Sequence, residues 1–249
     1  MNQNRPILIL GATSTIARYA AMALAKRGYS LYLASRNTEE QKRIAADITV
    51  RYNVTVKQGV FDADNVTNHA QLIKNVVSEM GGLWGVVYAV GYMGETSPGK
   101  GQSVEDAASI VDRNLTGAIS ALEAAAAHIE AQNGGFIVAI SSVAGDRGRR
   151  KNYIYGAAKA GLSTYIEGLR HRMAGKAVRV VNIKPGLVDT PMTYGMRKGL
   201  LMAAPAAVGE RIARAAERGP NTVYVPFFWR YIMLIIRMMP EFMFKKMNF

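Results

Sequence analysis

Short, unbroken apolar runs alternate along this chain with segments whose apolar residues recur every three or four positions. Ile7 to Leu10 is the first run; Gly11-Ala-Thr-Ser-Thr-Ile-Ala17 follows it, then a helical pattern through Ile16, Ala20 and Leu24. That helix is expected from about Ser14 to Gly28, a residue suited to a C-terminal cap. Leu31 to Ala34 predicts a second strand, and Ser35-Arg-Asn-Thr opens a polar helix reaching Arg51. Val54 to Val60 predicts a third strand ending near Asp62, Asp64 to Met80 a helix, and Leu83 to Val90 a fourth strand. A Gly- and Pro-containing loop, Gly91 to Gly101, leads into a long alanine-rich helix from Val104 to Ala131. Phe136 to Ile140, a helix holding Tyr155, and Val178 to Ile183 continue the pattern. Strands that are apolar throughout are buried on both faces, and strands separated by helices pair in parallel. The expectation is a single α/β, doubly wound (Rossmann-type) domain over residues 1–225, with a mainly parallel sheet and helices on both faces. An apolar, basic tail of residues 226–249 follows it.

In such a sheet, ligands bind at the carboxyl ends of the strands, near the point where strand order reverses. Gly11, Ser35, Arg36, Asp62, Gly91, Ser142, Pro185 and Gly186 all fall at expected strand ends. Tyr155 and Lys159 are four apart, so a helix places both side chains on one face. Ser142 lies thirteen positions before Tyr155, where the fifth strand has just ended. The set suits carbonyl–alcohol chemistry. A phenol can pass a proton to a carbonyl oxygen, and a nearby ammonium is expected to lower its pKa from about 10. A Tyr with Lys four later occurs twice, the second copy being Tyr194–Lys198, so the pair alone says little. Thirteen before Tyr194 stands Val181, inside an apolar run, so that copy lacks the serine.

Gly11 permits a tight turn, and the helix N-terminus behind it offers free N–H groups and positive potential to a pyrophosphate. Arg36 follows the second strand, and no acidic residue occurs between Gly28 and Thr38. A guanidinium there suits the 2′-phosphate of NADP(H), where NAD-binding folds place a carboxylate; the alternative is a solvated arginine at a helix start. Asp62 is placed either to accept from an adenine amine or to cap a helix.

Taken together, these residues resemble the short-chain dehydrogenase/reductase family over residues 6 to about 225. The likeness rests on the Gly11 turn, Asn114-Leu-Thr-Gly, Ile140-Ser-Ser142, Tyr155-x-x-x-Lys159 and Lys184-Pro-Gly-Leu-Val-Asp-Thr190. It implies that Tyr155 is the acid/base, that Lys159 binds the ribose and lowers the tyrosine pKa, and that Ser142 positions the carbonyl. Asn114 would hold a water in a proton relay. It also implies a cofactor site of Gly11, Thr13, Ser14, Thr15, Ile16, Ser35, Arg36, Asn37, Asp62, Ala63, Ala89, Val90, Gly91, Pro185, Gly186, Val188 and Thr190, with Tyr155 and Lys159. Two departures stand out: the family's Asn-Asn-Ala-Gly is Tyr88-Ala-Val-Gly91, and Thr15 replaces a glycine. Family members commonly form dimers or tetramers, so a homo-oligomer is expected.

Composition narrows the picture further. The chain has no cysteine and its three histidines are scattered, so no metal site and no thiol chemistry is expected. The formal net charge is +13, but the basic residues are dispersed and the one dense run, Arg147, Arg149, Arg150 and Lys151, is short, which argues against nucleic acid as a partner. The start, MNQNRPILIL, lacks a signal-peptide core, and a cytoplasmic protein is expected. After Val225 the chain is dense in Phe, Met, Ile and Trp, yet Arg230, Arg237 and Pro240 interrupt it, leaving no run of about 20 apolar residues. The tail therefore packs on a partner subunit or lies at the inner membrane surface, with Trp229, Ile232 and Ile236 embedded and Arg230, Arg237, Lys245 and Lys246 near anionic headgroups. The Gly11 turn, Arg36 and this tail are also similar to reductases of polyprenyl-phosphate-linked keto-sugars. The expected function is an NADPH-dependent ketoreductase acting on a small-molecule or lipid-linked carbonyl substrate. Alternatives are a reductase of small soluble ketones or 3-oxoacyl thioesters, either served by an apolar lid from Met192 to Ala204, and a non-catalytic cofactor sensor or scaffold. The intact Ser–Tyr–Lys–Asn set speaks against the last.

Overall fold

Residues 5–94, 102–195 and 199–247 are described by the computed structural model of this chain. Parts of the 91–101 loop and of the proposed 192–204 lid, and Lys198 of the second Tyr–Lys pair, lie outside the described residues. The chain alternates strand and helix from its start: β1 (Ile7–Leu10), α1 (Thr15–Ala25), β2 (Leu31–Ser35), α2 (Thr38–Tyr52), β3 (Val56–Val60), α3 (His69–Met80) and β4 (Gly85–Tyr88). There follow α4 (Val104–Val111), α5 (Gly117–Ala131), β5 (Gly135–Ile140), α6 (Tyr153–Arg172) and β6 (Val178–Pro185). The remainder is β7 (Leu187–Val188), β8 (Met202–Ala203), α7 (Pro205–Glu217), β9 (Thr222–Val225), α8 (Trp229–Met238) and α9 (Glu241–Phe244).

Seven strands pair in parallel in the order β3-β2-β1-β4-β5-β6-β9, and β7 pairs with β8 in a separate two-stranded ladder. Strand order reverses between β1 and β4, so a crevice opens above their carboxyl ends. Both faces of the sheet are covered over its central strands, which is why β1, β2, β4 and β5 are largely apolar, whereas the edge strand β3 carries Lys57 and Gln58 and is partly exposed. Ile7 and Ile9 point into a core with Ala17, Ile44 and Ile212, while Leu8 and Leu10 point into one with Val76, Leu122 and Leu162. This is a single Rossmann-type α/β domain.

Three features depart from the sequence pattern. The helix expected over 104–131 is broken by a wide turn, Asp112–Thr116, where the Asn114 amide donates to the carbonyls of Ile110 (2.8 Å) and Tyr92 (2.6 Å). Helix α3 starts five residues later than Asp64, because Asp62 and Asn65 close turns that precede it. Finally, α7 and β9 add a helix and an edge strand beyond Ile183. Gly209 brings α7 so close to α1 that an added Cβ would lie 2.4 Å from the Tyr19 backbone.

The tail folds back on its own chain. Trp229 and Met233 are buried, and Ile232 and Ile236 pack beside them against Val143, Leu187 and Tyr224. Arg147 fastens the far end: its guanidinium donates to the carbonyls of Ile236 and Met239 and stacks 3.9 Å over the Phe244 ring. The face expected to embed in a bilayer, Trp229, Ile232 and Ile236, is thus turned inward. Helical spacing sends Phe227, Tyr231, Leu234, Ile235 and Met238 to the opposite side, where they and Phe242 are exposed. Among the described residues no helix is long and apolar enough to cross a membrane.

Candidate active site

The end of β5 and the start of α6 are clamped together by small residues. A Cβ on Gly145 would lie 2.7 Å from the backbone of Lys159 and Ala160, and one on Gly156 would lie 2.9 Å from the Ala144 carbonyl. Only with glycine at both positions does the short turn Val143–Gly145 seat against α6. Ser142 caps that turn, its hydroxyl accepting from the Ala144 N–H at 3.0 Å, and lies beside the Tyr155 hydroxyl. Lys159 is 1% exposed, and its ammonium donates to the carbonyls of Val90 (3.1 Å) and Ile140 (3.0 Å), bridging the ends of β4 and β5.

Burial dominates the electrostatics of this pair. It pushes the Tyr155 phenol up to about 12, although the Ser142 hydroxyl and the Arg149 charge pull the other way. The same cause pushes Lys159 down to about 7. Sequence reasoning expects a lysine that lowers the tyrosine pKa; here the ammonium faces two carbonyls, 5.7 Å from the phenol ring centre, and desolvation outweighs it. The phenol is therefore neutral at ordinary pH, the form that can give a proton.

The remaining strand ends build a cradle around the β1–β4 crevice. Gly11 has φ 77°, and a Cβ there would press within 3.0–3.2 Å of Val90 and Ala89. Ser14 caps α1, accepting from the Ala17 N–H at 3.3 Å and donating to the Ala89 carbonyl at 3.3 Å. The N–H groups of Thr15 and Ile16 open the helix with no partner in the turn before them. The brace that the family's asparagines would supply is replaced by Tyr88, whose hydroxyl donates to the Arg113 carbonyl at 2.7 Å, together with Asn114 and Lys159.

A cavity of about 360 Å³ runs along Thr13, Tyr155, Lys159, Gly186, Val188 and Thr190. A second of about 280 Å³ runs along Ser35, Arg36, Asn37, Asp62 and Ala63; the two share Thr13, Ser14, Ala89, Val90 and Gly91. The groove thus gathers the predicted cofactor residues, but not all by their side chains. The Ser35 hydroxyl is buried and donates to Gln41 at 2.6 Å, and the Asn37 side chain caps α2. Arg36 is exposed, with its guanidinium 4.0 Å from Asp62, whose carboxylate also accepts from the Asp64 N–H. Asn114 is fully buried and both its amide hydrogens go to backbone carbonyls, so it braces the wall and does not line the cavity. Met192, the first residue of the expected lid, lines one end of the groove, while sequence reasoning missed Met93 and Asn152 there and Phe61, Tyr92 and Arg113 at the other end. It also missed Trp229, which presses on Gly186 so tightly that a Cβ there would lie 2.0 Å from the indole nitrogen. Loop residues and contacts between distant segments leave no periodic trace.

A helix-opening cradle joined to a buried Tyr–Lys pair fits a nicotinamide dinucleotide. The family model described as short chain dehydrogenase matches residues 5–200. This chain belongs to the short-chain dehydrogenases. An uncharacterised oxidoreductase of Mycobacterium tuberculosis (strain H37Rv) is 34% identical over 97% of this chain and 96% of its own. One from Streptomyces coelicolor is 32% identical over 98% and 96%. Among solved structures, a putative short-chain alcohol dehydrogenase from Sinorhizobium meliloti superposes with a TM-score of 0.81 at 23% identity, covering 91% of this chain and 96% of that one. An alcohol dehydrogenase from Thermococcus sibiricus, complexed with 5-hydroxy-NADP, gives 0.78 at 21% identity over 88% and 95%. An NAD+-bound xylitol dehydrogenase gives 0.72 at 26% over 76% and 73%. This short-chain dehydrogenase is accordingly an oxidoreductase acting on alcohol and carbonyl groups, with NAD(P) as its cofactor class.

Proposed function

We propose that the chain is an NADPH-dependent ketoreductase of an amphipathic, lipid-linked or otherwise membrane-associated carbonyl compound. The observation that carries the reaction is the buried Tyr155 phenol beside Ser142, on the wall of a groove continuous with the Gly11 cradle. The bound cofactor supplies hydride to the carbonyl carbon. Ser142 donates a hydrogen bond to the carbonyl oxygen, and Tyr155 gives that oxygen its proton as negative charge develops there. Lys159, with a pKa near neutrality, tethers the β4 and β5 ends and is placed to hydrogen-bond a ribose hydroxyl. Asn114 positions Tyr92 and Ile110 without touching the reacting atoms. Pro185, Gly186, Val188 and Thr190 would flank the nicotinamide end of a bound cofactor, and the N–H groups of Thr15 and Ile16 would hold its pyrophosphate.

Arg36 supports NADPH over NADH. It is exposed at the adenine end of the groove and makes only a long, 4.0 Å approach to Asp62, leaving its fork free for a 2′-phosphate. The apolar outer face of α8 and α9, flanked by exposed Arg230, Arg237 and Lys246, supports peripheral contact with an anionic membrane. That tail lies directly behind the Gly186 loop, so a surface-bound enzyme would present its cavity to lipid-linked compounds. A screen of NADPH oxidation against lipid-linked keto-sugars, 3-oxoacyl thioesters and small ketones tests the reading. It predicts the highest kcat/KM for an amphipathic ketone; oxidation of small soluble ketones alone at comparable rates would contradict the lipid-linked substrate.

A further inference from the structure

Among the described residues, the basic run Arg147 to Lys151 has one member, Arg149, with a buried nitrogen left without a partner. Arg147 is spent on the tail, its guanidinium bonded to carbonyls beyond α8. Among the described residues Arg149 finds no hydrogen-bond or ion-pair partner, and its Nε is buried without an acceptor. The acid beside it is already committed: Asp146 accepts from Lys184 at 2.6 Å and from the Tyr224 hydroxyl at 2.8 Å. Three residues on, Asn152 opens α6 with its amide oxygen also buried and unpartnered, and it lines the same cavity as Ser142 and Tyr155. Arg149 is close enough to Tyr155 for its charge to act on the phenol. Buried polar groups without partners are uncommon in folded chains, and two in the turn that leads into the Tyr155 helix point to a ligand that completes them.

We propose that Arg149 and Asn152 form a recognition site for a phosphorylated, hydroxylated substrate, holding its phosphoryl group and a hydroxyl beside Tyr155. A phosphoryl oxygen would satisfy the guanidinium, and a hydroxyl, which both donates and accepts, would satisfy the Asn152 amide. Arg150 and Lys151, exposed next in sequence, favour a doubly charged phosphoryl group over a single carboxylate. The inference rests on the reductase reading for the reaction but not for the binding, which is measured without turnover. The phosphoryl group could belong to a polyisoprenyl phosphate or to a soluble sugar phosphate.

Calorimetric titration of phenyl phosphate and farnesyl phosphate into the full chain, with and without saturating NADP+, is the test, in wild type, Arg149→Gln, Arg149→Lys and Asn152→Ala. Wild type should bind phenyl phosphate; Arg149→Gln should weaken it roughly 10- to 100-fold, with Arg149→Lys restoring part of the loss. Asn152→Ala should leave phenyl phosphate, which carries no hydroxyl, bound as before, and weaken glucose 6-phosphate in a parallel titration. NADP+ affinity should be the same in all four proteins, which also shows that they fold. Tighter binding of farnesyl than of phenyl phosphate, lost in Arg149→Gln, supports a lipid-linked source, and equal binding supports a soluble one. No phosphate binding by wild type, or equal binding by wild type and Arg149→Gln, would overturn the site. Failure of the reductase reading would show separately, as absence of NADP+ binding.

Discussion

Lys159 is buried, and burial moves its titration into the neutral range. Its folded pKa of about 7 lies below its usual value of about 10.4. Between those two values the unfolded chain binds the extra proton, so stability rises with pH through that window, and the burial cost is fully present below pH 7. Tyr29 and Tyr155, pushed up to about 12, act with the opposite sign and only above about pH 10. Urea unfolding should therefore show the wild type gaining roughly 2 kcal/mol between pH 7 and pH 9, and Lys159→Met showing little change. An equal gain in both would mean that Lys159 is not the group responsible. Arg36 makes a separate prediction. Arg36→Ala should weaken NADPH roughly 10- to 100-fold in a fluorescence titration and leave NADH little changed. Equal losses would make Arg36 a structural residue.

Among the elements, the tail is the one whose role the structure changes most. Trp229 is 7% exposed and backs Gly186, so α8 supports the Gly186 end of the groove from behind. Trp229→Ala should cost about 3–5 kcal/mol. Gly186→Ala should also be destabilising, because its new Cβ would sit 2.0 Å from the indole nitrogen. In the Trp229→Ala background that second change should cost far less, a coupling readable from four unfolding curves; additive losses would refute the contact. The central strands β1, β2, β4 and β5 and most of the helices were legible because those strands are apolar runs buried on both faces, while the edge strand β3, Val56–Val60, is partly exposed. Ser142, Tyr155 and Lys159 were legible because strand end and helix spacing place them together. Three features were not: the break at Asn114, the brace supplied by Tyr88, and the inward face of α8. Each depends on a contact between segments far apart in sequence. Arg149 was visible only as one cation in a basic run, since its lack of a partner is a property of the folded loop.

At the scale of the whole molecule, the proposed membrane contact would draw on both the net charge of +13 and the exposed apolar face of α8 and α9. Each cation near an anionic leaflet contributes about 1 kcal/mol, and several large side chains add to that on insertion. The intact chain should co-sediment with anionic vesicles at low salt and less at high salt. A triple variant, Leu234→Glu, Ile235→Glu and Phe242→Glu, should stay in the supernatant without loss of fold, because all three residues are exposed. Wild type remaining in the supernatant while the variant changes only in oligomer size would make this face a subunit contact. The central claim is that one buried phenol delivers the proton, and paired measurements on Tyr155→Phe test it most directly. NADPH affinity and turnover are measured on wild type and variant against the best carbonyl substrate of the screen. Tyr155→Phe should bind NADPH within about threefold of wild type and turn over at least roughly 100-fold more slowly, since general acid catalysis contributes on that order. Turnover above a few per cent of wild type, with NADPH still bound, would contradict the claim.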